Sequence, residues 1–508
     1  MEFIKKRKYA FLAGLLALIL IVGGVTGWMM LHSSESTINA LFYGDAALIQ
    51  KDDARKRQFV IGDTSLSSVE LLAFSQSPSA KAAQKLVYLP LVMMDEDKNA
   101  SYGLAETVSF NSSGSMAEVT IKDSASFSDG SPVTADDVIA SYSTYLDKQR
   151  LIAGQTGAAG SIEGAEEYMA GSEETITGLE KVDDKTLRFT FVGVSPSNLD
   201  ALSVPVLKTV QGEGYPAGAG AYAIKSVVNR QEIVLEKREG AASEYPYDEV
   251  VLKRVTTDSL ETALQDGSID LFFTSSEQTL QQAEECGYMT AYELPDTDYS
   301  FIGIRTDIEP LNSVEARRAV IQSVDRAKLA DIAYESGTTP LCLFGSTRGG
   351  SNYSSILPYD PQAAKNALSD AGIDSLKVTI LSNDDSSSRG IAQDLASMLM
   401  QNNIGVEQVY YNPSSTATQP ENYSLYVILA EDGSQNSAFQ AFLSESDGAS
   451  DEFRVKIADR LKNDPLGVYD TAETFFSEQA AILPLHTGTR YAVVAADCNA
   501  ENMLRLAR

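Results

Sequence analysis

Hydrophobic and polar positions alternate between Pro216 and Phe273 in a way that predicts two strand regions around a helix. Residues 222–227 carry Tyr, Ile and Val between small or polar residues, which is typical of a half-buried strand. Two more strand-like runs follow, and then 258–267 has the order of a capped helix: Asp and Glu three apart at its start and Gly at its end. Residues 269–273 return to a strand.

The same kind of alternation continues toward the carboxyl end. Apolar residues at helical spacing predict helices over 313–326, 359–372 and 386–405, and the apolar run at 378–384 predicts a strand. Pro361 suits the first turn of its helix and Gly372 suits the end. Alternating strands and helices predict an α/β layer structure, and folds of this kind often bind ligands in a cleft between domains.

The amino end has a different pattern. Residues 5–8 are all basic, and the twenty-two residues from Ala10 to Leu31 carry no charge. This predicts a membrane helix whose amino end is cytoplasmic, with the rest of the chain outside. Trp28 to Leu31 prolong the apolar run, which favours an uncleaved anchor over a cleaved signal peptide. Residues 32–57 are polar with mixed charge and predict a stalk.

Composition narrows the classes of function. A chain of 508 residues, 44% of them hydrophobic, is long enough for two or three domains. Its 70 acidic and 40 basic residues give a net charge of −30, which argues against a nucleic-acid partner. The acidity alone does not distinguish a soluble surface from a preference for cationic ligands.

Several motifs occur in the order of one known family. They read KLVYLPLV, SYGLAETV, FSDGSPVTADDV, PAGAGAY, YPYDEVVLKRV, ETALQDGSIDL, YDPQAAKNALSDAGI and AAILPLHTGTRYAVV. Together they resemble the family 5 extracellular solute-binding proteins, the peptide- and nickel-binding receptors of ABC importers. The resemblance spans roughly residues 58–500. It implies a bilobal fold like that of periplasmic binding proteins, of the large three-domain class II type, after the membrane helix.

The resemblance also implies a domain division. Domain I is expected to be discontinuous, with domain II inserted into it and domain III following as one piece. The expected boundaries are 58–82, 176–298 and 483–508 for domain I, 83–175 for domain II, and 299–482 for domain III. Two hinge strands are then expected near Asp298 and Pro484.

Two residues are the main candidates for holding a ligand. Arg389 begins a predicted helix, where a cation opposes the helix dipole, and in peptide-binding relatives an arginine at the corresponding position receives the peptide carboxylate. The alternative is a surface arginine paired with Asp384 or Asp385. Asp432 matches the aspartate that pairs with a ligand's α-amino group, in a motif whose Trp and Tyr-Pro-Asp-Pro residues are absent here. The alternative is a solvated loop acid.

Weaker candidates come from the same resemblance. Tyr88 and Tyr222 match strand ends that face the ligand in relatives, but a strand tyrosine is more often a packing residue whose hydroxyl is satisfied. Structural roles are favoured for three other polar residues: Arg305, Arg348 and His486. Three widely separated cysteines have no metal-binding spacing and allow one disulfide of unknown pairing: Cys286, Cys342 and Cys498.

Enzyme chemistry is not expected. The chain has two histidines and lacks the G-x-S-x-G, H-E-x-x-H and P-loop motifs, so no cofactor is predicted and transport energy must come from separate subunits. The predicted function is the substrate-binding component of an ABC importer. Its partners would be a peptide or other small solute, the permease and ATPase subunits, and the membrane. The alternative is a membrane-tethered sensor or assembly protein that retains the receptor fold without import.

Overall fold

The protein is described from a computed structural model. Nine stretches of the chain are placed: 40–66, 77–95, 98–152, 157–208, 215–241, 246–333, 357–412, 423–430 and 448–498. Within these stretches no helix is both long and apolar enough to cross a bilayer. The anchor predicted at 10–31 lies outside the described residues.

The described residues form nineteen strands. In chain order they are β1 Ala40–Phe42, β2 Gln58–Asp63, β3 Val92–Met94, β4 Ala100–Tyr102, β5 Ala105–Phe110, β6 Met116–Ile121, β7 Leu179–Lys181, β8 Thr186–Thr190, β9 Leu207–Lys208, β10 Ala217–Gly218, β11 Tyr222–Val228, β12 Glu232–Lys237, β13 Glu249–Arg254, β14 Leu271–Thr274, β15 Met289–Ile304, β16 Lys377–Asn383, β17 Gly405–Asn412, β18 Leu425–Ala430 and β19 Ile482–Ala495.

The described residues also form twelve α-helices. They are α1 Pro78–Val87, α2 Ala135–Ile152, α3 Ala165–Ala170, α4 Ser197–Asp200, α5 Thr257–Gln265, α6 Glu277–Glu285, α7 Val314–Gln322, α8 Arg326–Ala333, α9 Pro361–Asp370, α10 Ser386–Gln401, α11 Gly448–Asn463 and α12 Val468–Gln479. Short 3₁₀ segments precede or connect some of them, including Ala46–Leu48 and Arg55–Arg57.

One large mixed sheet runs through the molecule. Its strand order is β11-β12-β13-β2-β14-β19-β15-β18-β16-β17, and β1 also pairs with β15. A separate four-stranded antiparallel sheet, β5-β6-β8-β7, lies between β2 and β11 in the sequence. After β15 both helices and strands occur, as the sequence pattern predicts. The helix predicted over 313–326 is shorter, because α7 ends at Gln322 and α8 begins at Arg326.

The long antiparallel strands β15 and β19 join the two halves of the main sheet. At one end of the crossing they pair through Met289 and Ala495, and at the other end through Gly303 and Ile482. Their register shifts between Pro295 and Tyr299. A pair of strands that pass between two halves of a sheet, with broken register midway, has the layout expected of a two-strand hinge.

Two hydrophobic clusters flank this crossing. One packs α7, α9 and α10 against β16–β18, and its buried residues include Val320, Ile391 and Leu395. The other packs α5 and α6 against β14 and β19, with Leu264 and Val493 among its members. Fully burying an aliphatic side chain contributes about 1.5–3 kcal/mol, so each cluster gives its half of the sheet a core of its own.

Local signals in the sequence are found where predicted, with one exception. Pro361 begins α9, and Gly372, just after the end of that helix, has a left-handed φ of 70°. The exception is the cap of α5, because the capping box is formed by Thr256 and Ser259 and not by the Asp–Glu pair at 258 and 261. A β-region threonine directly before the helix takes the N-cap position first.

Candidate ligand-binding site

Carboxyl ends of parallel strands converge on the crossing of β15 and β19 from both sides. On one side β2 is parallel to β13 and β14, and β14 approaches the crossing with its carboxyl end, since Thr274 pairs with Tyr491. On the other side β16 is parallel to β17 and β18, and the last residue of β18, Ala430, pairs with Tyr299. Ligands of open α/β sheets bind outside the carboxyl ends of strands, so this crossing is the candidate site.

Arg389 lies at this edge, in the first turn of α10 after the end of β16. Asp385 caps the helix by accepting a hydrogen bond from the Ser388 backbone N–H at 2.8 Å. The exposed guanidinium pairs with Asp384, and its carbon lies 4.4 Å from the centre of the Tyr411 ring at the end of β17. The ion pair to Asp384 is the alternative that the sequence left open.

The opposite edge contains a buried carboxylate at the end of β2. Asp63 is 3% exposed, and its oxygens accept hydrogen bonds from the Ser65 backbone N–H at 2.7 Å and from the Ser77 hydroxyl at 2.8 Å. These bonds hold the two ends of the β2–α1 connection together. They leave Asp63 committed to structure and not directed at a ligand.

Two close glycine contacts position the predicted tyrosines. A Cβ on Gly218 would lie 1.9 Å from the Val87 carbonyl oxygen, and one on Gly220 would lie 2.2 Å from the Leu86 carbonyl oxygen. Only glycine allows this loop to approach the end of α1 so closely. The PAGAGAY motif is therefore a packing device between α1 and β11.

The tyrosines on either side of that contact are buried. Tyr88 and Tyr222 are each 1% exposed, and their hydroxyls donate to the carbonyls of Pro216 at 3.4 Å and Tyr247 at 2.7 Å. Burial raises the pKa of Tyr88. These surroundings match packing with a satisfied hydroxyl, and a direct ligand contact stays a prediction.

Comparison with known proteins assigns the chain to a family. A family model described as "Bacterial extracellular solute-binding proteins, family 5 Middle" matches residues 99–450. The chain belongs to this family.

Curated relatives match less of the chain. The oligopeptide-binding protein AppA of Bacillus subtilis is 25% identical over 263 residues, which are 50% of this chain and 48% of AppA. The nickel-binding periplasmic protein of Escherichia coli is 23% identical over 311 residues, 58% of this chain and 57% of that protein. The chain thus spans about half the length of the curated relatives it matches.

A solved structure extends the likeness over most of the fold. The periplasmic murein tripeptide-binding protein MppA, in its unliganded open form, superposes with a TM-score of 0.65 at 19% identity. The match covers 88% of this chain and 94% of MppA. It confirms the predicted α/β fold of the periplasmic-binding-protein type.

The remaining candidate residues either have ordinary structural surroundings or lie outside the described residues. Arg305 pairs with Asp307 at 2.5 Å and lies 5.3 Å from the Tyr423 ring centre. The backbone of His486 pairs with Ser300 at the crossing. Three of the residues named from the sequence lie outside the described stretches: Asp432, Arg348 and Cys342. β18 ends two residues before Asp432.

Sequence reasoning missed two residues at the site. Arg490 is 3% exposed in β19 beside the crossing, with its guanidinium carbon 5.7 Å from the Phe273 ring centre. Tyr411 forms the aromatic surface under Arg389. Arg490 had a signal in the sequence, since it is a charge at the start of an otherwise apolar strand run. Tyr411 had no such signal, because most of helix α10 separates it in the sequence from Arg389, the residue that it contacts.

The described residues contain one group with the composition of a metal site, away from the crossing. Asp270, Asp497 and Cys498 place their ligand atoms within 4.8 Å of one another. The Lys51 ammonium lies 2.8 Å from an oxygen of each acid and 3.5 Å from the thiol sulfur. A lysine cation therefore already neutralises this cluster, and it is not a candidate metal centre.

Proposed function

We propose that the chain is the extracellular substrate-binding component of an ABC importer, which captures a peptide or related small solute by closing around it. The observation that carries this proposal is the convergence of carboxyl strand ends from both halves of the main sheet on the crossing of β15 and β19. Membership of the family 5 solute-binding proteins also supports a solute-binding function. The chain would bind its solute without altering it.

The proposed movement is a hinge motion of domain III, 299–482, against domain I. The hinge would be the irregular part of β15 between Pro295 and Tyr299 together with its partner in β19. Domain II, 83–175, would remain attached to domain I. Separate hydrophobic clusters on the two sides of the crossing support this division, because each half can then move as a packed body.

Arg389 and Asp432 are the proposed contacts for the two ends of the ligand. Asp384 contacts Nε and Nη2 of Arg389, and the guanidinium has additional N–H donors with which it can bind a carboxylate. Asp432 would receive the α-amino group. An extended peptide between them would add backbone hydrogen bonds at strand edges.

Ligand screening tests the import function. The purified full chain is heated with short peptides, nickel chelates and sugars, and its unfolding temperature is compared with and without each solute. A ligand at a hundredfold excess over Kd adds roughly 2.7 kcal/mol to the stability of the form that binds it. A clear upward shift with one solute class supports the proposal, and no shift with any class contradicts it.

Chemically blocked peptides test the two proposed end contacts. Arg389→Ala should weaken binding of a peptide with a free carboxylate more than binding of its carboxyl-terminal amide. Asp432→Ala should weaken the free amine more than the acetylated form. Arg318→Ala, an exposed arginine that bonds the Glu478 carbonyl on α12, is the matched control and should leave both affinities unchanged. Equal losses for free and blocked peptides would refute the assigned roles.

We also propose that residues 10–31 remain as an uncleaved membrane anchor, with the globular part extracellular or periplasmic. The alternative function is a membrane-tethered sensor or assembly protein. The ion pair between Arg389 and Asp384 favours that alternative, because it occupies two nitrogens of the proposed carboxylate-binding group. Permease and ATPase genes beside this one would support import, whereas a neighbouring kinase gene would support sensing.

A further inference from the structure

A lysine between β3 and β4 contacts a helix near the carboxyl end of the chain. The ammonium of Lys98 lies 5.4 Å from the centre of the Tyr469 ring in α12, and 3.2 Å from a carboxylate oxygen of Asp200. Tyr469 has no exposed surface, and the Lys98 side chain is 20% exposed. A cation this close to an aromatic ring is attracted to it, and more strongly where water is partly excluded.

The turn between β5 and β6 also lies directly on the neighbouring helix, α11. A Cβ on Gly114 would lie 3.1 Å from the Ala458 Cα, so the turn and the helix backbone are in direct contact. The buried Asn198 holds the turn, because its amide donates to the Gly114 carbonyl at 3.0 Å. Burial, with a further contribution from Asp464 after α11, raises the pKa of the Tyr102 phenol in β4.

The region of β3 to β6 is fixed to the β12 side of the main sheet. Arg238, directly after β12, donates to the carbonyls of Gly220 and Phe127, each at 2.9 Å. Phe127 follows shortly after the end of β6. The Lys208 ammonium in β9 lies 2.9 Å from a carboxylate oxygen of Asp129. This region therefore follows the β12 half of the sheet in any movement.

Helices α11 and α12 are fixed to the other half of the sheet. The buried Arg317 of α7 donates from Nε to the Gln479 carbonyl at the end of α12, at 2.8 Å. Helix α7 in turn packs in the hydrophobic cluster on β16–β18. Phe453 and Phe475 join α11 to α12, with their ring centres 5.1 Å apart. The two helices therefore follow the β16–β18 half.

We propose that the contacts of Lys98 with Tyr469 and of Gly114 with Ala458, called the bridging contact below, form a latch that holds the two halves of the sheet in the arrangement of this structure. This inference rests on the hinge motion of the proposed function. One side of the bridging contact follows β12 and the other follows β16–β18. Rotation about the crossing of β15 and β19 therefore has to release it.

The bridging contact is weak enough to be reversible. Asp200 lies in α4 with Asn198, whose amide binds the Gly114 carbonyl. The ion pair between Asp200 and Lys98 therefore stays on one side when the halves separate. Only the cation–ring contact and the packing of Gly114 on Ala458 are lost. A cation–ring contact of this kind changes a conformational equilibrium by roughly two- to thirtyfold.

Pulsed electron paramagnetic resonance tests the latch on the full chain in detergent, without ligand and with the native cysteines replaced by serine. Spin labels at Val228→Cys and Met400→Cys report on the two halves, because both side chains are more than half exposed, in β11 and α10. Lys98→Asn removes the cation at a left-handed position that asparagine tolerates. We expect it to shift the conformer ratio roughly two- to thirtyfold toward the separated form. Lys98→Arg keeps the cation and should keep the ratio.

Lys208 provides the matched control. Its ammonium pairs with Asp129 and lies 6.0 Å from the Phe127 ring centre, but all three residues lie on the β12 side. Lys208→Asn should therefore leave the conformer ratio unchanged. An unchanged ratio in Lys98→Asn, or an equal shift in Lys98→Asn and Lys208→Asn, overturns the latch.

Disulfide trapping tests the bridging contact itself. Gly114→Cys/Ala458→Cys should cross-link in air, because a Cβ at 114 would lie 3.4 Å from the Ala458 Cβ, near the spacing in disulfides. Gly130→Cys/Ala458→Cys is the control, since Gly130 is also left-handed but a Cβ there has no neighbour within 4 Å. Equal cross-linking of the two pairs overturns the contact. Neither measurement uses a ligand, so a failed ligand screen overturns import alone and an unchanged conformer ratio overturns the latch alone.

Discussion

The two halves of the main sheet each bury a charged side chain, and they satisfy it in opposite ways. Near β14, Asp270 has no exposed side-chain surface and lies 2.8 Å from the Lys51 ammonium and 2.7 Å from the Arg55 guanidinium. On the β18 side, Arg317 is 1% exposed and its partners are oxygens of carbonyl and amide groups on Leu311, Asn312 and Gln479. Among the described residues, the hydrogen bonds of the Arg317 guanidinium all end on uncharged oxygens.

Both charges join segments that are far apart in the sequence. Asp270 accepts a hydrogen bond from the Val60 N–H at 2.7 Å, and its own carbonyl accepts one from the Ala495 N–H at 2.8 Å. It therefore links the amino-terminal segment, β2 and the end of β19. Arg317 links the turn before α7 to the end of α12, because its Nε donates to the Gln479 carbonyl at 2.8 Å.

The comparison teaches that a buried charge can be stabilised by ions or by oriented dipoles. Burial alone lowers the pKa of Lys51, but Asp270 and Asp497 outweigh it, and the pKa of Lys51 is raised above its ordinary value. Burial lowers the pKa of Arg317 to about 10. Both groups stay cationic at neutral pH. The contribution of Lys51 is complete below its unfolded pKa and is lost only as pH rises through the higher folded value.

Removing Asp270 should have the largest effect of the changes considered. Asp270→Ala leaves Lys51 and Arg55 without their buried counter-ion, which costs about 3–5 kcal/mol of unfolding free energy. Urea denaturation of the full chain followed by circular dichroism measures the loss.

The matched control for Asp270 is an exposed acid on the same half of the sheet. Asp248 pairs with Arg57 at 3.3 Å, and both side chains are well exposed, so Asp248→Ala should cost about 1 kcal/mol or less. Similar losses for the two variants would show that Lys51 and Arg55 find water or other partners, and would remove one side of the comparison.

Arg317→Met should have a smaller but clear effect. Methionine fills similar volume, yet the carbonyls of Leu311 and Gln479 lose their donor, and an unsatisfied buried acceptor costs roughly 1–3 kcal/mol. Arg317→Lys should not restore stability fully, because an ammonium cannot reproduce the planar fork of donors. The measurement is the same denaturation experiment.

Arg318 is the control for that variant, since it is the next residue of α7 and its bond to the Glu478 carbonyl is exposed. Arg318→Met should change the unfolding free energy by no more than about 0.5 kcal/mol. If Arg318→Met costs as much as Arg317→Met, the loss comes from helix α7 itself and not from the buried hydrogen bonds.

Much of the fold was predictable because its signals are local. Strand alternation, Pro361 at the start of α9 and Gly372 after its end depend on residues close together in the chain, and the structure confirms them. The links that Asp270 and Arg317 form between distant segments were not predictable from the sequence. Their partners lie 215 and 162 residues away, at Arg55 and Gln479, and no periodicity connects such positions.

The candidate site was predictable only in part for the same reason. Arg389 could be identified because it begins a helix. Asp384 could be named as its alternative partner because it lies five residues away. The ring of Tyr411 and the burial of Arg490 depend on how β17 and β19 lie in the sheet. The cap of α5 was misplaced because two acceptable N-cap residues lie close together and only the backbone conformation selects between them.

The least direct test of the comparison concerns Cys498, which borders the Asp270 cluster and reports how far water is excluded from it. Burial, with a further contribution from the nearby Asp270 carboxylate, raises the pKa of the Cys498 thiol from 9.0 to about 12. The thiolate is the reactive form, so at pH 8 Cys498 in the folded chain should react with iodoacetamide roughly a thousandfold more slowly than an unshifted thiol. Mass spectrometry of the labelled peptide gives the rate, and labelling in concentrated urea provides the unshifted reference. Equal rates in the folded and unfolded chain would mean that water reaches the Asp270 cluster. The ion-paired charge would then be hydrated, and its burial would no longer be comparable with that of Arg317.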